Sequence, residues 1–294
     1  MEEISFATSV KESVSALPVK SACCKRAMLY GMLWLASVRD ETKIVLSFED
    51  EEAAASCERL LLEIFEGECD IEYYKSGYRV TVTDKVTLKA IDEDFGGFAE
   101  LNDGFFLCEN CHRHFMRGAF LCGGTVNAPS REYHLELHSK YDLKPLTAVF
   151  NLSGIFPHIT VRGENNILYV KNSEEISDFL HCIGARGAAF DLINEKIVRE
   201  IRNNANRQKN FDTANINRSV KANKPQVEAV EYLMANNLLV KLSPQLRETA
   251  LLRRENPDMS LSDLAAMHDP AITKSGLTHR LKAIVEAAEE FKKQ

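Results

Sequence analysis

Two groups of residues in this chain have the types and spacing to do chemistry. Cys108-Glu109-Asn110-Cys111-His112, with His114 close behind, has the spacing of a pair of thiolate metal ligands. Thr273, Lys274, Ser275, Thr278, His279, Arg280 and Lys282 gather cations, hydroxyls and an imidazole within ten residues, the donor set that grips phosphates and base edges. The first group falls short of a site along the chain. A structural zinc site takes four ligands, and no second Cys-x2-Cys or His-x3-5-His pair follows Cys111. The two cysteines therefore read as ordinary helix-start residues, and no metal is expected. Haem attachment uses the same spacing but belongs to exported proteins. The eight cysteines, at 23, 24, 57, 69, 108, 111, 122 and 182, form no disulfide framework and suit a reducing compartment as small core residues.

Charge sets the second group apart. Residues 1–193 carry 19 Lys and Arg against 30 Asp and Glu, a net of −11, whereas residues 194–294 carry 17 against 13, a net of +4. An anionic partner is expected at the C-terminal third, not across the whole chain. From Arg199 to Lys224 there are seven basic and two acidic residues among many asparagines. This stretch reads as a partly ordered connection, either a solvated linker or a basic strap along nucleic-acid phosphates, with Arg207, Lys209 and Arg218 as its candidate contacts.

The elements that must position the 273–282 group follow from spacing and caps. Lys224 to Asn236 reads as a helix with Val227, Val230, Leu233 and Met234 inward. Ser243-Pro244 opens a helix running to Glu255, with Ser at the cap and Pro in the first turn. Ser260 caps a short helix, Leu261 to His268, with Asp263 three residues after the cap. Asp269-Pro270-Ala271-Ile272 turns the chain, and Thr273 caps a last helix, Lys274 to Phe291, with Leu277, Leu281 and Ile284 inward. A short helix, a tight turn and a longer helix with a polar, basic start is a helix-turn-helix design. In that design the second helix enters the major groove by its N-terminal end. His279 reads equally as a solvated surface histidine.

The N-terminal two-thirds is organised differently. At 294 residues the chain is long enough for two domains. His114 to Cys122 reads as a helix whose small residues, Gly118, Ala119 and Cys122, admit another helix, with Gly123-Gly124 ending it and Thr125-Val126 starting a strand. A weaker copy lies at Met28 to Val38, near 87 residues earlier, within an apolar helical run from Ala22. After each copy come a β-run, a helix, a hairpin and a closing helix. In the first half these are Lys43–Glu49, Asp50–Glu66, Asp70–Ser76 with Tyr78–Thr83 turning about Gly77, and Asp84–Ile91. In the second they are Glu132–Ser139, Asp142–Leu152, Pro157–Arg162 with Ile167–Lys171 turning at 163–166, and Ser173–Ile183. Such a repeat is an internal duplication. The two halves are expected to pack by their opening helices, with two small mixed sheets side by side. The fold class is thus α+β: a duplicated domain over 1–198 (halves about 20–92 and 105–185), a basic Asn-rich linker over 199–223, and an all-α domain over 224–294 with the helix-turn-helix at about 260–293.

The doubled helix-strand-helix-hairpin-helix order with glycine-bearing opening helices resembles the LAGLIDADG homing endonuclease fold. Joined to a C-terminal helix-turn-helix, it resembles the WhiA transcriptional regulators. The stretches that carry the likeness are RGAFLCGGTVNAP (117–129), NNANRQKNFDTANIN (203–217) and LSDLAAMHDPAITKSGLTHRL (261–281). The resemblance implies a promoter-binding regulator tied to sporulation and cell division, with double-stranded DNA as partner. It also implies that the helix-turn-helix supplies most of the recognition.

In active LAGLIDADG enzymes each opening helix ends in an acid that binds divalent metal for phosphodiester hydrolysis. The resemblance places Leu121 and Gly123 at the acidic places of the second copy, and Trp34 and Ala36 at those of the first. None can ligate Mg²⁺, which takes oxygen ligands. Asp40, Glu41 and Glu132 fall past the helix ends and read as surface residues. No catalytic residue, metal or cofactor is expected, and the chain is not expected to be an enzyme. A residual metal-dependent endonuclease and a ligand-sensing regulator, holding a small molecule between the halves, stand as alternatives. The acidic duplicated domain is expected to make auxiliary DNA contacts or to contact another regulatory protein. No apolar run spans a bilayer, and the start Met1-Glu2-Glu3-Ile4-Ser5-Phe6 lacks a basic-then-apolar signal. A cytoplasmic, nucleoid-associated protein with no membrane partner is expected.

Overall fold

Helix α1 (Phe6–Ser15) begins where the Ser5 hydroxyl accepts the Thr8 amide at 3.1 Å. The computed structural model describes residues 4–98 and 100–293, with the backbone alone at Gly97, Asp103 and Ser219. The acidic opening Met1-Glu2-Glu3 lies outside the described residues.

The first half then runs α2 (Ala22–Trp34), β1 (Val38–Arg39), β2 (Ile44–Phe48), α3 (Glu51–Phe65), β3 (Asp70–Tyr74), β4 (Gly77–Val82) and α4 (Lys85–Phe95). The second runs α5 (Cys111–Gly123), β5 (Gly124–Val126), β6 (Leu135–Ser139), α6 (Leu146–Asn151), β7 (His158–Arg162), β8 (Asn165–Val170) and α7 (Ser173–Ile183). The sheets have matching orders, β1-β2-β4-β3 and β5-β6-β8-β7. Every pairing is antiparallel, so the expectation of mixed sheets is corrected. The reason is that β4 and β8, the second strand of each hairpin, lie beside β2 and β6, so the helical crossover leads to the sheet edge and creates no parallel neighbours.

Local chemistry accounts for the elements. In β2, Ile44, Leu46 and Phe48 are buried on one face; on the other, Ser47 is exposed but Val45 is also buried. The Asp50 carboxylate accepts from the amides of Glu52 and Ala53 and so starts α3. The first hairpin turns at Lys75-Ser76, just before the expected Gly77. Gly77 serves close packing instead: a Cβ there would lie 2.4 Å from the Phe48 carbonyl oxygen. The second hairpin turns at Gly163-Glu164, with Gly163 at φ 63°.

The halves meet along α2 and α5. A Cβ on Gly31 would lie 2.0 Å from the Phe115 carbonyl oxygen, and one on Gly118 would lie 2.0 Å from that of Met28. Only glycine lets the two backbones approach this closely. Around the seam Met28, Leu29, Met32, Leu33, Phe115, Met116, Ala119 and Phe120 are wholly buried.

The chain divides into two compact units, the first ending at Glu200 and the second beginning at Ile201. Helix α8 (Arg186–Ala235) runs through that boundary. Residues 199–223, expected as a partly ordered connection, are therefore helical. Side chains support the helix locally: Gln208 donates to Asp212 at 3.0 Å, and the Arg218 guanidinium donates to Asn215 at 2.7 Å. Pro225 sits inside the helix, where its missing N–H leaves the Lys221 carbonyl without its helical partner.

The second unit continues with α9 (Pro244–Glu255), α10 (Leu261–Ala266) and α11 (Lys274–Lys293). Its core joins Val230, Leu233, Ala250, Leu264, Leu277, Leu281 and Ile284; Val227 and Met234, expected inward, are half-buried. Two polar groups hold it. Buried Arg253 donates through Nη1 to the carbonyls of Asn256, Pro257 and Met259, at 3.2, 3.4 and 2.9 Å. Buried His268 lies 3.0 Å through Nδ1 from the Leu264 carbonyl and 2.9 Å through Nε2 from the Thr249 hydroxyl. A carbonyl can only accept, so Nδ1 carries a proton and donates to Leu264, while the Thr249 hydroxyl itself donates to the Gln245 carbonyl at 3.0 Å.

Candidate nucleic-acid interface

Helix α11 separates its core from its outer face cleanly. Leu277, Leu281, Ile284 and Ala288 are buried, while Lys274, Ser275, Thr278, His279 and Lys282 are exposed and Arg280 is half-buried on the flank. The expected residues thus come together on the first turns of one helix. Their side chains are not equally free. Thr273 Oγ1 accepts the Gly276 amide at 3.1 Å, so it caps α11. The Thr278 hydroxyl donates to the Lys274 carbonyl at 2.8 Å, which leaves its lone pairs to accept from a base amine. Lys282 lies 3.5 Å from Glu286, an exposed pair of little strength. Among the described residues, Lys274 and Arg280 make no ion pair.

The scaffold helix α10 is capped as expected. Ser260 accepts the Asp263 amide at 3.2 Å and donates its hydroxyl proton to the Asp263 carboxylate at 2.7 Å. The Ile272 amide donates to the Ala265 carbonyl at 3.1 Å, tying the turn to α10. Arg253 and Asn223, whose amide donates to the Pro257 carbonyl at 3.1 Å, fix the loop that delivers α10. Neither was singled out in the sequence, because a buried arginine looks like any surface arginine until its carbonyl partners are assembled.

Arg207, Lys209 and Arg218 are all exposed on α8. As a helix, this stretch cannot be one strap. At 3.6 residues per turn, Arg207 and Arg218 fall roughly 20° apart while Lys209 lies roughly 200° from Arg207. Arg218 is tied to its own helix through Ala214 and Asn215. Arg199, from the same basic run, is engaged in the first unit, donating to the Pro129 carbonyl at 2.9 Å.

The far ends of the seam helices are apolar and filled. Trp34, Ala36 and Leu121 are buried. A Cβ on Gly123 would lie 2.8 Å from a Leu35 methyl and 2.9 Å from the His138 carbonyl oxygen. Asp40, one of the acids just beyond, is occupied in a turn, accepting from the Thr42 hydroxyl at 2.6 Å and from the amides of Thr42 and Lys43.

The outer face of the second sheet carries a buried carboxylate, Glu136. His134 pairs with it, His138 Nε2 lies 2.8 Å away and Arg162 3.1 Å away. Burial raises its pKa, but the His134 hydrogen bond and the charges of His134, His138 and Arg162 more than offset this and hold it below the ordinary value. On the first sheet Arg79 pairs with Glu72 at 3.0 Å.

The case against metal at Cys108 and Cys111 was that no second pair follows them. One precedes them. The Sγ atoms of Cys23, Cys24, Cys108 and Cys111 all lie within 4.8 Å of one another. The first pair belongs to the other half of the duplication, so only the fold unites the two.

Comparison with known proteins bears on both units. The family model for the WhiA C-terminal HTH domain matches residues 205–288, and that for the WhiA LAGLIDADG-like domain matches residues 112–202. The probable cell division protein WhiA of Ruminiclostridium cellulolyticum is 30% identical over 309 residues, covering 99% of each chain. The chain belongs to the WhiA family. The relative in Clostridium beijerinckii is 36% identical over 218 residues, 74% of this chain and 69% of that one. The crystal structure of full-length DUF199/WhiA from Thermatoga maritima matches with a TM-score of 0.58 at 24% identity, covering 98% of this chain and 99% of that one. The fold is therefore the WhiA fold, a duplicated LAGLIDADG-like domain followed by a helical helix-turn-helix domain. Among the described residues no helix is long and apolar enough to cross a membrane.

Proposed function

We propose that the chain is a sequence-specific, nucleoid-associated transcriptional regulator that reads promoter DNA with the N-terminal end of α11 in the major groove. The observation that carries this is the exposed set Lys274, Ser275, Thr278 and His279, with Arg280 on the flank, standing directly over a buried apolar face. A helix held rigidly by its core presents donors to base edges with little ordering cost on binding. Arg207 and Arg218 on one face of α8, and Lys209 on another, contribute phosphate contacts that set affinity without reading sequence. The relatives are named as probable cell division proteins, which supports a role for this regulator in the control of cell division, with sporulation as the further process the reading includes. Chromatin immunoprecipitation with sequencing tests the reading: a shared motif under the peaks is expected, and peaks scattered without one would refute it.

The duplicated domain acts in this reading as a non-catalytic platform. The positions where a nuclease needs acids hold Trp34, Ala36, Leu121 and Gly123, and the space at Gly123 is occupied. Two of the sheet cations are also already paired, Arg79 to Glu72 and Arg162 to Glu136, which suits a protein partner better than a phosphate backbone. Incubating supercoiled plasmid with the protein and Mg²⁺ or Mn²⁺ should give no nicking; nicking would restore the nuclease alternative.

A further inference from the structure

The cysteine cluster stands where the two seam helices begin. Cys23 and Cys24 lie at the start of α2, and Cys108 and Cys111 at the start of α5. Cys24 and Cys111 are equivalent in the duplication, 87 residues apart like Gly31 and Gly118. Each half thus contributes two sulfurs to one point, at the opposite end of the seam from Ala36 and Gly123.

The sulfur spacing approaches that of a coordination shell, with no two of the four atoms more than 4.8 Å apart. The Cys108–Cys111, Cys24–Cys108 and Cys23–Cys108 sulfur separations are 3.5, 3.6 and 3.7 Å. Four sulfurs at about 2.3 Å from a central ion form a tetrahedron with edges of about 3.8 Å. All eight cysteines are free thiols. Four sulfur donors in a tetrahedron suit a soft d¹⁰ ion and exclude Mg²⁺ or Ca²⁺, which take oxygen. Neither His112 nor His114 belongs to the cluster, and His114 Nδ1 bonds the Asn110 carbonyl at 2.8 Å.

Charge supports the same reading. Zn²⁺ with four thiolates carries a net charge of about −2, and two helix N-termini converge on it with their positive ends. Arg117 lies further along α5, buried, with Nη1 lacking any hydrogen-bond partner and no carboxylate pair among the described residues. Its Nε donates to the Ile183 carbonyl at 2.7 Å; burial disfavours its charge, and an anionic Cys24 would favour it. A cation buried without an anion is costly, and a negative centre at the N-terminal end of the same helix offsets part of that cost.

We propose that Cys23, Cys24, Cys108 and Cys111 bind one zinc ion as a tetrathiolate site that clamps the N-terminal ends of the two seam helices together. Cys24 and Cys111 are buried and Cys108 is exposed, so the ion has an entry path while two of its ligands are fixed by the core. Metal binding releases the thiol protons and adds its binding free energy to the stability of the seam.

The test uses the full chain, purified under a phosphine reductant, with total metal measured by mass spectrometry and Co²⁺ as the optical probe. One zinc per chain is expected. After its removal, one equivalent of Co²⁺ should restore intense thiolate-to-metal charge-transfer and tetrahedral d–d bands. Cys108→Ser, at an exposed position, should weaken Co²⁺ binding by about 100-fold or more; Cys182→Ser, outside the cluster, should leave it unchanged. Chelation should lower the melting temperature of the native chain but not of Cys108→Ser. Reduced native protein that binds neither ion stoichiometrically would overturn the proposal, as would equal binding by the Cys108 and Cys182 variants. A cluster recovered as two disulfides that takes up no metal after reduction would overturn it as well.

Discussion

Gly31 and Gly118 meet the opposite helix in the same way: a Cβ on either would lie 2.0 Å from a backbone carbonyl oxygen of its partner, that of Phe115 or of Met28. The reciprocity shows that the seam is an internal twofold built on two glycines, with no room for a methyl group at either. Gly31→Ala or Gly118→Ala should therefore destabilise the first unit by about 3 kcal/mol or more, since the backbones must separate. Gly187→Ala is the control. A Cβ there meets nothing within 4 Å, and the change should be neutral or stabilising by up to about 1 kcal/mol. Denaturant unfolding followed by fluorescence of the lone tryptophan, the buried Trp34 of α2, measures the first unit directly.

Arg253 is to the second unit what the glycines are to the first. Its Nη1 reaches three carbonyls of the loop before α10. Arg253→Leu removes the shared guanidinium donor, leaving those carbonyls only the bonds from Asn223 and the Met259 amide, and should cost the second unit about 1–3 kcal/mol. Hydrogen exchange should show faster opening across residues 244–290, with the first unit unaffected. Protection unchanged in that segment would contradict the role.

Glu136 gives the pH dependence. Its pKa is held below the ordinary 4.5, so its stabilising contribution is complete above about pH 5 and is lost as the pH falls through the folded value. Glu136→Gln should lower the melting temperature at pH 7, and the difference from the native chain should shrink as the pH falls below 4.5. A difference constant from pH 7 to pH 3 would show that the carboxylate charge is not what stabilises the fold.

Much of the fold was legible in the sequence. The duplication, the hairpins and the helix-turn-helix follow from spacing, caps and glycine placement, which are local. What was not legible depends on residues far apart. Cys23 and Cys24 look incidental until α2 and α5 are paired. The antiparallel order of the sheets hangs on which strand of each hairpin lies beside β2 or β6, a long-range choice that no local alternation registers. The Asn-rich run from 203 lacks an apolar stripe and so reads as a linker; its helix rests on side-chain pairs such as Gln208–Asp212. That helix also changes the phosphate contacts, because Arg207 and Lys209 are two apart in sequence but on opposite faces.

The two faces of α8 are testable separately. Arg207→Ala with Arg218→Ala should lower affinity for all DNA sequences alike and flatten the salt slope by about 1 for each phosphate the removed cations neutralise. Lys209→Ala added to that pair should act independently of them. Filter-binding isotherms between low and physiological salt give the slopes, and a loss confined to the specific site would show that α8 reads bases.

Whether α11 reads promoter DNA is tested most directly by anisotropy titration of one promoter fragment and one scrambled fragment. Lys274→Ala with Arg280→Ala, two cations outside the core of the second unit, should cost about 1–3 kcal/mol per base contact. Promoter affinity should therefore fall by about 100-fold, towards that of the scrambled DNA, with the melting temperature unchanged. Retention of full promoter preference by the folded double variant would contradict a recognition role for α11.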